Sequence, residues 1–134
     1  MAERNKAFPE YIRKAFDAFR PPERLTVSEW ADKYRILSEK DSAAPGLWRT
    51  DRTPYLKEPM DAFNDRTVKD ITFVAGTQLG KTVMEQNMIG FAIAQDPGPM
   101  LIVYPTDKLA EFTSVNRLQP MLELSDPLRA RWDR

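Results

Sequence analysis

The stretch DITFVAGTQLGKT, residues Asp70 to Thr82, decides the fold expected for this chain. Its first part, DITFVA at residues 70–75, is a short β-branched and aromatic run before a glycine, which predicts a buried strand. Its second part, AGTQLGKT at residues 75–82, matches the phosphate-binding loop pattern with alanine in place of the first glycine. A stretch long enough for a helix, residues 81–95, follows at once. The order strand, loop, helix is the context in which such a loop binds phosphate.

The loop has the residue types that phosphate binding requires. Backbone N–H groups turn inward around a phosphate, and the helix start points its positive dipole end at the anion. Gly80 permits close approach of the backbone, Lys81 can reach the β- and γ-phosphates of ATP as the catalytic cation, and the Thr82 hydroxyl can ligate Mg²⁺. The candidate site for ATP and Mg comprises Ala75, Gly76, Thr77, Gln78, Leu79, Gly80, Lys81 and Thr82. The alternative is a glycine-rich turn with a solvated lysine.

Beyond the loop, the sequence alternates between helix and strand patterns. Residues 81–95 predict a deeply packed helix that ends at the turn DPGP, residues 96–99. MLIVY at residues 100–104 predicts a second strand covered on both faces, and Thr106 can cap a further helix. We therefore predict an α/β fold with a partial P-loop NTPase sheet, that is, a βαβ unit and a following helix.

The first half of the chain predicts helices and one long loop. Apolar residues three and four apart predict an amphipathic helix over residues 9–19. Thr26 followed by Glu29 is a capping-box pattern that opens a second short helix. Residues 38–53 lack periodicity and predict a loop anchored by Leu47 and Trp48. The proline at position 54 starts another short helix.

These elements predict two regions. We expect residues 1–53 to form an N-terminal helical segment and loop, and residues 54–134 to form the N-terminal part of a P-loop ATPase domain. Two parallel strands make an incomplete sheet, since each expects neighbours on both edges. We therefore expect the chain to belong to a larger domain and to end before its Walker B element.

Composition excludes several classes of chemistry. The chain of 134 residues has a formal net charge of zero, so overall basicity does not indicate nucleic acid or anionic lipid as a partner. Without Cys or His there is no disulfide framework, Cys/His zinc site, cysteine nucleophile or histidine base. The charged N-terminus is unlike a secretory signal, and no stretch approaches the roughly 20 residues of a membrane span, so we expect a cytoplasmic chain.

Several motifs in order resemble one protein family. They are SEWAD (28–32), PGLWRT (45–50), TPYLKEPMDAF (53–63), QLGKT (78–82), DPGPMLIVYPT (96–106) and NRLQPML (116–122). From about residue 21 onward, the chain is similar to the ATPase half of the large terminase subunit of tailed bacteriophages, above all its lambda-like branch. An ordered series of motifs is far more specific than a phosphate loop alone.

The resemblance implies a motor that packages DNA with ATP and Mg in the cytoplasm of an infected bacterium. In the family, this ATPase domain precedes a metal-dependent nuclease domain, which these residues do not include. The implied partners are double-stranded DNA, the small terminase subunit, the portal protein and other copies of the large subunit. The family's adenine-contacting segment corresponds here to residues 52–55, so Tyr55 can stack on adenine and Arg52 can reach the base or a phosphate. The alternatives are a core aromatic and a surface cation.

Two departures from the family pattern keep other interpretations open. Thr77 and Gln78 fill the loop positions where terminases often carry an arginine, and no apolar run ending in Asp-Glu follows the loop. We therefore expect no ATP hydrolysis by these residues alone. A superfamily 2-type helicase or translocase shares the same loop, and a non-catalytic docking module is a third possibility. Trp30, Trp48 and Trp132 are expected to be packing residues, because no basic cluster is interleaved with them.

Overall fold

In the computed structural model, residues 12, 23–40 and 42–132 are described. Within them the chain forms helices α1 (Val27–Tyr34), α2 (Lys57–Ala62), α3 (Lys81–Gln95), α4 (Asp107–Thr113), α5 (Gln119–Leu124) and α6 (Asp126–Trp132). Two 3₁₀ turns, Thr50–Arg52 and Pro54–Leu56, precede α2, and a π-helical segment, Ser114–Leu118, joins α4 to α5. The helix predicted over residues 9–19 lies outside the described residues, apart from Ile12.

The strands predicted at residues 70–75 and 100–104 are not confirmed. Both segments lack regular secondary structure, and Val74, Leu101 and Val103 are 91%, 89% and 79% exposed. A strand is defined by hydrogen bonds to a neighbouring strand, and among the described residues neither segment pairs with another. High β-propensity by itself does not supply that neighbour. The described residues are mainly helical, and the predicted βαβ unit is not confirmed.

A small antiparallel pair has its second strand inside the long loop that the sequence predicted over residues 38–53. Strand β1 (Ile36–Leu37) pairs with β2 (Gly46–Leu47), and the Trp48 backbone N–H extends the pairing by donating to the Arg35 carbonyl at 2.8 Å. Trp48 is buried and anchors the loop as predicted, whereas Leu47 is 37% exposed. The prediction for Leu47 was wrong because alternate residues of a strand face opposite sides.

Two hydrogen-bond networks hold the N-terminus of α1. The predicted capping box is present, since the Glu29 N–H donates to Thr26 Oγ1 at 3.3 Å and the Thr26 N–H donates to Glu29 Oε2 at 2.8 Å. The Asp61 carboxylate of α2 adds a long-range cap by accepting from the backbone N–H and the hydroxyl of Ser28, both at 2.9 Å. Lys57 also pairs with Asp61. Together these contacts fix α2 against the start of α1.

Helix α3 is the centre of the packed region. Its bounds, Lys81–Gln95, match the prediction, and it contacts α1, α2, α5 and α6. Gly90 explains the close contact with α1, because a Cβ built there would lie 2.6 Å from Cη2 of the fully buried Trp30. The shared core consists of Val27, Trp30, Ala31, Leu37, Trp48, Leu56, Met60, Met84, Ile89, Phe91, Met121 and Leu128.

Helices α4 and α5 are parts of one helical run with a π-helical middle. Thr106 caps α4 as predicted, with its side chain accepting from the Leu109 N–H at 3.3 Å. Pro120 has no N–H to donate to the carbonyl of residue 116, so the regular ladder is interrupted there. One turn earlier, the Asn116 side chain donates to the Phe112 carbonyl at 3.1 Å. No helix in the described ranges is long and apolar enough to cross a bilayer.

Candidate functional site

A cleft of about 760 Å³ lies at the N-terminus of α3. The predicted phosphate loop, the segment before α2, the loop after β1 and the π-helical segment contribute to its walls. The lining residues are Leu37, Ser42, Ala43, Trp48, Thr53, Tyr55, Gln78, Gly80, Lys81, Thr82, Val83 and Arg117. Five of the residues predicted from the sequence therefore meet in one cavity: Tyr55, Gln78, Gly80, Lys81 and Thr82.

The loop before α3 has the backbone conformation of a sharp turn into a helix. Gly80, the residue that caps α3, has a φ of +78°, and Gln78 has a φ of +59°. The positive φ favours glycine at this position, and a Cβ there would also crowd Leu56, since it would lie 3.0 Å from Cδ1. Left-handed backbone at a non-glycine residue such as Gln78 is uncommon. The turn brings the first N–H groups of a 15-residue helix to the cleft.

The Lys81 side chain folds back over the loop. Its ammonium donates to the Ala75 carbonyl at 3.0 Å and also to the Gly76 carbonyl. Ala75 and Gly76 are therefore part of the site as acceptors for this lysine, although neither lines the cleft. Thr77 and Leu79 are exposed and do not line it either. The positive charge of Lys81 is thus held beside the turn that precedes α3.

The two site residues predicted in the segment 52–55 have different positions. Tyr55, in the second 3₁₀ turn, is 49% exposed and lines the cleft, which does not fit a core aromatic. Arg52 is exposed and is not among the lining residues. Thr53, between them in sequence, lines the cleft, and its buried Oγ1 has no hydrogen-bond partner among the described residues. A ligand with polar groups is one way to satisfy such an atom.

The predicted metal ligand, Thr82, is exposed at the first turn of α3 and faces the cleft. Its hydroxyl is a hard oxygen donor, the type of ligand that Mg²⁺ prefers. No carboxylate is among the described lining residues. In the whole described part of the chain, no group of three or more His, Cys, Asp or Glu side chains could hold a metal ion. Mg²⁺ typically keeps waters and binds through few protein ligands plus substrate phosphates, so one hydroxyl fits such a site when a polyphosphate supplies the rest.

Glu85, one turn further along α3, does not line the cleft. Its Oε1 accepts a hydrogen bond from the Tyr104 hydroxyl at 3.2 Å, and both residues are partly buried. Burial and the adjacent Glu85 carboxylate raise the pKa of Tyr104 above its usual value. This contact links the second turn of α3 to the end of the segment at residues 100–104. Glu85 therefore supports packing in the described structure and lies away from the loop.

Seven residues of the cleft lining were not among the site residues predicted from the sequence: Leu37, Ser42, Ala43, Trp48, Thr53, Val83 and Arg117. Arg117 is the one that adds charge, and its Nη1 donates to the Lys40 carbonyl at 2.9 Å. It lies within the NRLQPML motif, but spacing from the phosphate loop did not indicate contact with the cleft. Asn116 and Pro120, on either side of Arg117, could have indicated an irregular helical segment there, because both residue types disturb a regular helix.

Comparisons with known proteins identify the family of this chain. The chain is 25% identical over 101 residues to the large terminase subunit of Enterobacteria phage P21, an alignment that covers 75% of this chain and 15% of that protein. The chain thus spans a small part of this relative's length. No solved structure matches significantly. Residues 42–134, more than half of the chain, match the model of the ATPase domain of the phage terminase large subunit gpA. The chain therefore belongs to the gpA family of phage terminase large subunits.

Proposed function

We propose that this chain is the nucleotide-binding part of a phage DNA-packaging ATPase and that it binds ATP and Mg in the cleft at the N-terminus of α3. One observation carries the proposal: Tyr55 and the phosphate-loop residues Gln78, Gly80, Lys81 and Thr82 line the same cavity. Family membership supports an ATPase, and the turn geometry supports a polyphosphate as its ligand.

Each loop residue has a role that its position supports. Lys81 exchanges the Ala75 and Gly76 carbonyls for the β- and γ-phosphate oxygens, which are stronger acceptors for an ammonium. Gly80 keeps the backbone close to the phosphates, and backbone N–H groups from Gly76 onward donate to them. Thr82 is the protein's ligand to Mg²⁺, an ion that neutralises the charge developing on the phosphates.

The base end of the nucleotide lies against Tyr55. Its exposure and its place in the cleft support stacking on adenine. We assign no base contact to Arg52, because it is exposed outside the cleft lining. An Arg52 contact with nucleotide requires a rearrangement of the first 3₁₀ turn.

The proposal extends to the fold and to the whole protein. We propose that residues 70–75 and 100–104 are strands of a parallel P-loop sheet, completed by strands outside the described residues, and that the ATPase domain begins near residue 54. Their exposed apolar side chains support this, since strands of such sheets are buried on both faces. In the whole protein we expect a nuclease domain, and double-stranded DNA, the small terminase subunit, the portal and further large subunits as partners.

The direct test is nucleotide binding by Lys81→Ala. Removing an ammonium that pairs with phosphate should cost about 1.5–3 kcal/mol, which is a loss of about tenfold or more in ATP affinity. Isothermal titration of ATP-Mg into residues 1–134 measures it. The matched control is Lys108→Ala, an exposed lysine of α4 outside the cleft lining. Equal ATP affinity for the parent and Lys81→Ala would refute the proposal.

The Tyr55 contact has its own test. If the ring stacks on adenine, Tyr55→Ala should weaken ATP binding whereas Tyr55→Phe should change it little, because stacking uses the π-face and not the hydroxyl. Inorganic triphosphate is the discriminating ligand, since it lacks a base and should bind all three proteins alike. Equal damage from both substitutions would contradict adenine stacking.

We expect residues 1–134 to bind ATP without catalytic turnover. Phosphoryl transfer needs an oriented water and a second Mg²⁺ contact, and no carboxylate is among the described residues of the cleft lining. Phosphate release at saturating ATP-Mg should stay at the level of Lys81→Ala, which serves as the contamination control. Release that is robust in the parent and absent in that variant would contradict the expectation.

A further inference from the structure

Arg117 brings a second cation to the cleft from a distant part of the sequence. It lies in the π-helical segment Ser114–Leu118 and lines the same cavity as Lys81 and Thr82. Its Nη1 also donates to the Lys40 carbonyl at 2.9 Å, next to Ser42 and Ala43 in the opposite wall. Arg117 therefore spans the cleft between the helical run and the loop after β1.

The π-helical segment gives Arg117 a defined placement. Pro120 interrupts the regular hydrogen-bond ladder, and the Asn116 side chain donates to the Phe112 carbonyl one turn earlier. An extra residue per turn rotates the side chains that follow it, and such segments often occur at functional sites. Arg117 is partly buried, and Met121, one turn later, is fully buried in the core. The segment carrying the arginine is thus anchored on the core of the molecule.

We propose that Arg117 is a phosphate-binding residue of this cleft and that it contacts the terminal phosphates of a bound nucleoside triphosphate. The inference rests on the proposed nucleotide site and adds a cation that the phosphate-loop motif does not contain. A guanidinium has five N–H donors in a planar fork, so one arginine can hold a backbone carbonyl and a phosphate oxygen together. Binding would then link the nucleotide to the loop at Lys40.

The test is the dependence of affinity on the number of phosphates. The variants are Arg117→Gln, which removes the charge but keeps a polar side chain, and Arg117→Lys, which keeps the charge. Arg131→Gln is the matched control, since Arg131 also donates to a distant carbonyl, that of Ala94 at 2.9 Å, but lies outside the cleft lining. Titrations use ATP, ADP and AMP with Mg²⁺, and thermal unfolding is recorded without nucleotide.

We expect Arg117→Gln to lose about tenfold in ATP affinity, less for ADP and little for AMP, with an unchanged Tm. Arg117→Lys should recover part of the loss, and Arg131→Gln should match the parent. An unchanged ATP affinity in Arg117→Gln overturns the inference. An equal loss for all three nucleotides with a lowered Tm also overturns it, because the residue would then only hold the loop at Lys40.

The outcomes separate this inference from the proposed function. If Lys81→Ala loses ATP affinity and Arg117→Gln does not, the nucleotide site stands and the role of Arg117 is rejected. If the parent and Lys81→Ala have the same ATP affinity, both proposals fail. A loss of nucleotide affinity in both Lys81→Ala and Arg117→Gln that increases from AMP to ATP supports both proposals.

Discussion

The packed region around α3 and the segments at residues 70–75 and 100–104 have similarly apolar sequences but different structures. In the first, Trp30 is fully buried against Gly90, and α1, α2, α5 and α6 all contact α3. In the second, Val74 and Leu101 are almost fully exposed. A helix satisfies its backbone within one segment and needs only a surface to pack on, whereas a strand needs a neighbour for every hydrogen bond. The two segments accordingly pack only in part, through residues such as Phe73 and Ile102 that lie against the core, while their other apolar side chains stay exposed.

The largest expected effect is the loss of the Trp30 side chain. Trp30→Ala removes a fully buried indole from the contact between α1 and α3, and the cavity should lower the free energy of unfolding by about 3–5 kcal/mol. Trp132→Ala is the matched control, because Trp132 is 58% exposed and should change stability by less than about 0.5 kcal/mol. Urea denaturation measures both. Similar losses of unfolding free energy in Trp30→Ala and Trp132→Ala would contradict the distinction between packed and exposed regions.

The close approach at Gly90 gives the next effect. In Gly90→Ala the new methyl group would meet Trp30 Cη2 at 2.6 Å, so we expect a loss of about 1–3 kcal/mol despite the better helix propensity of alanine. Trp30→Phe removes the atom that clashes. In a double-mutant cycle, Gly90→Ala should therefore cost much less in the Trp30→Phe background. Additive losses would show that the two residues are not in contact.

A smaller effect is expected at the cap between α1 and α2. Partial burial acts to raise the pKa of Asp61, but hydrogen bonds from Lys57 and Ser28 outweigh it and hold the pKa below its usual range. A carboxylate with a lowered pKa in the folded state stabilises the protein above its unfolded pKa, and this stabilisation is lost as the pH falls through the folded value. Asp61→Asn should thus cost about 1 kcal/mol at neutral pH.

The pH profile distinguishes this cap from a general loss of packing. The difference in Tm between the parent and Asp61→Asn should shrink as the pH falls from the usual range of an aspartate through the lowered pKa of Asp61, where the carboxyl of the folded parent becomes protonated. Glu58→Gln is the control, since Glu58 is exposed on the same helix. A difference that stays constant down to acidic pH would contradict the assigned role of the charge.

The smallest effect is expected in the exposed apolar segments. Val74→Thr and Val103→Thr keep a β-branched shape and should change the free energy of unfolding of residues 1–134 by less than about 0.5 kcal/mol. Removing exposed apolar surface should also reduce self-association, which light scattering measures. Ile89→Thr, a similar change at a buried position of α3, is the control and should be clearly destabilising. A loss above about 1 kcal/mol at Val74 or Val103 would show that these segments are packed.

Local sequence determined the features that depend on neighbouring residues. The Thr26 and Thr106 caps and the bounds of α3, Lys81–Gln95, were predicted because capping and helix termination involve residues within one or two turns. The turn into α3 and the orientation of Lys81 toward it follow from the same short motif. The division at residue 54 stays a prediction, although the described residues on its two sides share one core.

Contacts between distant segments were decided only by the tertiary structure. Sequence spacing did not indicate that Gly90 would contact the Trp30 ring. It also did not indicate that Arg117 would line the cleft or that Arg52 would lie outside the cleft lining. The buried hydrogen bond from Arg35 to Gln86, at 2.8 Å, is of the same kind. The pairing of strands is also long-range, so the β-propensity of residues 70–75 and 100–104 does not by itself supply the neighbouring strands that would pair with them. Local patterns encode hydrogen bonds within a segment, whereas these features depend on which other segments the folded chain brings into contact.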